Sequence, residues 1–138
     1  MIKTFLFPKA ISDRNISISL LILRVVFGAL FMVHGWAKLS NFDATAEGFE
    51  QMGMGGSIGA YLAIFGEFFC GLGILTGFLF RLALIPAIVT MLVAFFVVTG
   101  MDITGKGEMS ALYLAVFVAL YITGAGKYSV DGFIAKKI

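Results

Sequence analysis

Residues 82–99 read LALIPAIVTMLVAFFVVT, eighteen consecutive positions without a charged side chain. At 1.5 Å rise per residue, a helix of about 20 residues crosses the roughly 30 Å hydrocarbon layer of a bilayer. This stretch is therefore expected to span a membrane, and the rest of the chain repeats the pattern. Residues 16–37, 58–80 and 109–125 form three more apolar segments, the last of them the shortest in apolar length. Across all 138 residues, 60% are hydrophobic and 13% charged, against about 45–50% and about 25% in soluble domains. The mean hydropathy is +1.03. A water-soluble fold of this size leaves too much surface exposed to hide that apolar content.

The expected fold is all-α: a single transmembrane domain over residues 1–138, built as an up-down-up-down four-helix bundle. Short connections make neighbours antiparallel. Arg81 alone is expected to separate spans two and three, and residues 100–108 to separate spans three and four. One side of the membrane then collects Lys3, Lys9, Arg14, Arg81, Lys127, Lys136 and Lys137. The other holds Lys38 and Lys106 together with Asp43, Glu47, Glu50, Asp102 and Glu108. Seven basic residues against two place both termini in the cytoplasm. No small-residue cleavage site follows the basic start, so the first apolar segment is read as a retained helix.

In the first outer loop Phe42, Ala46, Phe49 and Met52 recur at helical spacing, opposite Asp43, Glu47 and Glu50. This predicts a short amphipathic helix on the outer membrane surface, capped by Asn41 or Asp43 and ended by Gly53; an ordered polar loop is the alternative. Gly66, Cys70, Gly73 and Gly77 form a small-residue stripe on span two, with Gly73 and Gly77 in a GxxxG step. Such a stripe serves helix packing within the bundle or a dimer face. Pro86 either kinks span three or marks its first turns.

Ionisable groups within the hydrocarbon are costly and therefore informative. Arg24 on span one and Glu67 on span two are expected to form an ion pair. With His34 and Lys38, they would line a polar intramembrane pocket for a quinone headgroup or a small anion. The structural alternatives are an Arg24–Glu67 pair that only fixes helix register, or an Arg24 that snorkels to the headgroups, with His34 and Lys38 as interfacial anchors. Spans three and four supply few intramembrane polar groups beyond Thr90 and Tyr113.

Several classes are excluded. Cys70 is the only cysteine and His34 the only histidine, which rules out an internal disulfide, a dithiol mechanism and a bis-histidine haem within one chain. No metal site and no covalently bound cofactor is expected. The net charge of +2, without a basic stripe, gives no footprint for nucleic acid.

The run LRVVFG at 23–28, followed by HGWAK at 34–38, resembles the first helix of the DoxX family. GEFFCG at 66–71, Arg81, and GAGKYSVD at 124–131 fit the same pattern in order and spacing. The resemblance implies a small four-helix protein of the inner (cytoplasmic) membrane, with Arg24, His34, Lys38, Glu67 and Arg81 at the family's polar positions. It implies a membrane subunit of a quinone-linked oxidoreductase system, since the family name comes from subunits linked to a thiosulfate:quinone oxidoreductase. Whether the chain itself is catalytic is left open. The alternatives are a non-catalytic scaffold that anchors a protein partner or forms a homo-oligomer, and a small transporter.

Overall fold

The computed structural model describes residues 2–6 and 14–138, leaving out the Thr4 side chain. Among the described residues every regular element is helical. They are α1 (Ile2–Leu6), α2 (Arg14–Ser40), α3 (Phe42–Gln51), α4 (Ser57–Thr76), α5 (Phe80–Val98), α6 (Glu108–Thr123) and α7 (Val130–Lys137). Lys9, counted above toward orientation, lies outside the described residues. The helices α2, α4 and α5 are long and apolar enough to cross a membrane. The fourth apolar helix, α6, has 16 residues, about 24 Å of axis.

Consecutive apolar helices meet in reverse order. Gly28 of α2 packs on Leu75 and Gly71 of α4, and Gly35 on Phe68. Gly73 of α4 faces Ala83 of α5, and Gly66 faces Thr90 and Pro86. On the α6 side, Phe31 and Phe117 stack edge-to-face at 4.9 Å, Tyr113 lies 5.6 Å from Phe27, and Leu84, Ile74 and Leu120 complete the core. Ile22, Val33, Leu62, Phe65, Phe69 and Val97 face outward. So much exposed aliphatic and aromatic surface suits acyl chains and not water.

Helix ends depart from the sequence expectation in two places. Span two was expected to run to residue 80, with Arg81 alone as the turn. Instead Gly77 adopts the left-handed conformation at φ 74°, and its N–H and that of Phe78 both bond the Gly73 carbonyl. That closure ends α4 at Thr76, residues 77–79 make the turn, and Arg81 lies inside the first turn of α5. Span four was expected to reach residue 125, but Gly124, at φ 86°, stops α6 at Thr123. The helix α7 was not anticipated. Ser129 starts it, its hydroxyl oxygen accepting from the Gly132 N–H at 3.0 Å.

The amphipathic helix is present as α3. Phe42, Ala46 and Phe49 are half-buried while Asp43, Glu47 and Glu50 are exposed, and the Phe42 ring packs 4.6 Å from that of Tyr61 on α4. Asn41 stands before the helix, but its side chain bonds back to the Ala37 carbonyl and does not cap. Gly53, at φ 70°, follows the helix end as expected.

Candidate functional site

The register of α2 on α4 decides which charges meet. With Gly35 against Phe68, Glu67 lies level with Lys38, one turn further along α2. The Lys38 ammonium reaches both carboxylate oxygens of Glu67, at 2.7 and 2.9 Å. It is the one ion pair among the described residues. The Glu67 side chain is only 5% exposed and that of Lys38 30%, so the pair has a buried acid and a base at the rim. Glu67 sits in the middle of a widened turn in which the Cys70 N–H bonds Phe65 five residues back. Wide turns of this kind inside α-helices are frequent at functional sites.

The expected Arg24–Glu67 pair does not form. Arg24 and Lys38 are fourteen residues apart on one helix, about 21 Å of axis, so the register that gives Glu67 to Lys38 carries Arg24 to the opposite end. There Arg24, 1% exposed, donates to the Tyr128 carbonyl at 2.5 Å and the Leu75 carbonyl at 3.5 Å, with its guanidinium against Gly77. Arg24 therefore binds backbone carbonyls and not Glu67. It ties the last turn of α4 to the segment before α7.

Two further charged groups tie helix ends at this side. Arg81 donates to the Tyr121 and Ile122 carbonyls at 3.0 and 3.2 Å, satisfying orphan acceptors at the end of α6. Asp131, fully buried, accepts from the Leu79 and Phe80 N–H groups at 2.8 and 2.7 Å. Leu79 begins α5 at φ 44° and cannot cap the helix itself, so a carboxylate fifty residues on supplies the cap. Burial raises the Asp131 carboxyl above its ordinary value, opposed by the Phe80 and Leu79 N–H groups and by the Arg24 charge. Sequence reasoning missed this role, although Asp131 belonged to the quoted GAGKYSVD run.

At the other end, Lys38 and Glu67 open onto a cavity of about 470 Å³ between α3, α4 and α5. Phe49, Met52 and Met54 roof it, and Leu62, Ala63, Val89 and Val93 form its walls. Thr90 adds one polar atom, its hydroxyl donating to the Pro86 carbonyl at 2.8 Å. That leaves the Thr90 oxygen free to accept. His34 does not join the cavity. It is exposed on the α6 side of α2, its ring 6.0 Å from Tyr113. A second groove of about 610 Å³, between Phe65 and Phe69 of α4 and Leu82 and Ile85 of α5, has no charged side chain. Among the described residues no three His, Cys, Asp or Glu side chains gather to hold a metal ion.

The small-residue stripe divides. Gly66 faces Thr90 and Pro86, a β-carbon on Gly73 would sit 2.9 Å from that of Ala83, and Cys70 is buried in the core. Gly77 lies outside the helix and makes room for Arg24 and Ser129, so the apparent GxxxG step is not one. The close α2–α4 approach rests instead on Gly28, Gly35 and Gly71. Their signal was the seven-residue spacing of Gly28 and Gly35 on one helix face.

The DoxX family profile matches residues 19–100, from the start of the α2 core through the end of α5 and so across the Lys38–Glu67 pair. The chain belongs to the DoxX family. This DoxX chain is 35% identical over 127 residues to "Inner membrane protein YqjF" of Escherichia coli, covering 87% of the chain and 95% of that relative. It is 30% identical over 130 residues to "Putative oxidoreductase CatD" of Bacillus subtilis, covering 90% and 92%. No solved structure gives a significant match.

Proposed function

We propose that this DoxX protein is a multi-pass subunit of an oxidoreductase system in the inner membrane, and that it holds a quinone headgroup in the Lys38–Glu67–Thr90 cavity. The observation that carries the reading is a carboxylate–ammonium pair in the wall of an otherwise apolar cavity, within helices that face lipid. A volume of about 470 Å³ falls within the usual range of small-molecule sites, which are mostly apolar with a few convergent polar groups. Lys38 would donate to a ring carbonyl. Glu67 and the Thr90 oxygen would accept from a ring hydroxyl. A quinone, when bound, supplies two-electron carriage, and the chain supplies the oriented donors and acceptors and excludes water. The names of the two relatives, "Inner membrane protein YqjF" and "Putative oxidoreductase CatD", fit this reading.

A small anion suits the cavity less well. Glu67 already neutralises Lys38, and the buried Arg24 is committed to backbone carbonyls about 21 Å away. In this reading α2, α4, α5 and α6 form the up-down-up-down bundle. The turn at 77–79 and α7 lie on the cytoplasmic side with both termini, and α3 lies on the outer surface.

Titrating the purified chain with a short-chain quinone analogue tests the proposal. Saturable binding is expected, weakened about tenfold or more in Glu67→Gln, because a hydrogen bond to a charged group contributes about 1.5–3 kcal/mol. No binding, or binding indifferent to Glu67→Gln, would remove the idea.

A further inference from the structure

The segment after α6 does more than end the chain's last apolar helix. Its position is fixed by four hydrogen bonds made with α2, the start of α5 and the turn between α4 and α5. Asp131 accepts from two N–H groups at the start of α5, the Asp131 N–H donates to the Gly77 carbonyl at 2.9 Å, and Arg24 donates to Tyr128. The helix α7 is thereby held level with the ends of α4 and α5, where a bilayer's headgroups begin. Its faces are sorted for that place. Asp131 and Gly132 are buried against the bundle, while Val130, Phe133, Lys136 and Lys137 are exposed, Phe133 by 59%.

The charge on the outward surface has one sign. Lys127, Lys136 and Lys137 are exposed, and Asp131, the only acidic side chain of residues 124–138, is spent in the cap. The ammonium groups also lie against aromatic rings. Lys137 is 4.6 Å from the Phe133 ring centre and Lys127 is 5.8 Å from that of Tyr128. Aromatic rings beside lysines with aliphatic stems suit the boundary between headgroup and acyl chain.

We infer that α7 and the residues leading into it form an interfacial site for anionic phospholipid, with Lys127, Lys136 and Lys137 on the headgroups and Phe133 and Val130 entering the acyl boundary. A soluble acidic partner would answer the charge but leave Phe133 and Val130 without an apolar counterpart. A bilayer of anionic lipid answers both. Because the same helix carries the cap of α5, lipid bound on its outer face steadies the contact that its inner face makes. The inference is independent of the quinone site.

The test uses the full chain in mild detergent, titrated with phosphatidylglycerol or phosphatidylcholine and followed by native mass spectrometry and thermal unfolding. Phosphatidylglycerol should stay bound and raise Tm, and phosphatidylcholine should do neither to the same degree. Each lysine near an anionic surface contributes about fivefold in affinity. The triple variant Lys127→Gln/Lys136→Gln/Lys137→Gln should therefore lose roughly a hundredfold and the Tm gain with it, and Lys136→Gln alone about fivefold. Phe133→Ser should weaken binding too, while Lys106→Gln, in the loop between α5 and α6, should change nothing. Equal response to the two lipids, a triple variant with undiminished affinity, or the same Tm gain from inorganic phosphate would each overturn the inference.

Discussion

Removing one partner of the Lys38–Glu67 pair should cost far more than removing both. At a separation near 2.8 Å and an effective dielectric of about 20, two unit charges attract by about 6 kcal/mol gross. Lys38 is 30% exposed, so water already recovers part of that, and about 2–4 kcal/mol is the expected loss for either single truncation. Glu67→Leu leaves an ammonium beside an apolar cavity, and Lys38→Met leaves a carboxylate that is 5% exposed without its cation. The double variant Lys38→Met/Glu67→Leu has no charge left to desolvate, and replacing a buried pair by apolar side chains is often close to neutral. Its stability should fall within about 1 kcal/mol of wild type, giving a coupling energy of several kcal/mol. Unfolding in mixed micelles with rising dodecyl sulfate measures all four proteins. Quinone-analogue titration on the same set separates stability from ligand binding, which should be lost in the double variant although its fold is intact. Strictly additive single losses would refute the contact itself. A stable double variant that still binds the analogue would refute the role given to the pair.

Two further substitutions probe how the pair is placed and how the other end is held. A β-carbon on Gly35 would sit 2.6 Å from the Phe68 nitrogen, so Gly35→Ala must push α2 from α4 and should cost about 1–3 kcal/mol in micelle unfolding. Gly48→Ala on α3, with nothing within 4 Å, should instead be neutral or stabilising by up to about 1 kcal/mol. Asp131→Asn keeps the shape but pairs one of two N–H groups with an amide that cannot accept, an expected loss of about 1–2 kcal/mol. Because burial raises the Asp131 carboxyl, the folded chain binds its proton more tightly than the unfolded chain. That contribution is complete below the unfolded value of about 3.9 and is lost as pH rises through the raised folded value. The wild-type margin over Asp131→Asn should narrow across that window, as read from unfolding midpoints against pH.

Where length and hydropathy are sufficient evidence, the sequence was easy to read. The apolar helix α5 follows from a run without a charged side chain, α2 from a long stretch that Arg24 and His34 interrupt, and α3 from the period of Phe42, Ala46 and Phe49. The end of α4 was not legible from composition, because Phe78, Leu79 and Phe80 are as apolar as the helix they follow. What stops α4 is the left-handed Gly77, and what restarts the chain as α5 is a carboxylate fifty residues further on. The chemistry of Lys38 and Glu67 marks both in the sequence, yet depth along the spans pairs Glu67 with Arg24, whereas the fold pairs it with Lys38. Depth counted from the ends of hydrophobic segments carries the error of those ends, whereas the true register is set by Gly28, Gly35 and Gly71 at the α2–α4 contact.

The charged residues of the bundle then separate by what they bind. Arg81 donates to backbone carbonyls at the end of α6, Asp131 accepts from N–H groups at the start of α5, and Arg24 donates to the Leu75 and Tyr128 carbonyls while its Nε has no partner among the described residues. Each completes hydrogen bonds that a helix terminus leaves open, so the fold alone accounts for its presence. Lys38 and Glu67 complete no backbone group. Among the described residues their side chains join each other, Glu67 from a widened turn midway along α4 and Lys38 from α2, and both line the cavity. A structural pair alone would be replaceable by leucine and methionine at little cost in stability. On the proposed reading, a buried acid and a rim base at the cavity wall offer a ligand one acceptor and one donor there.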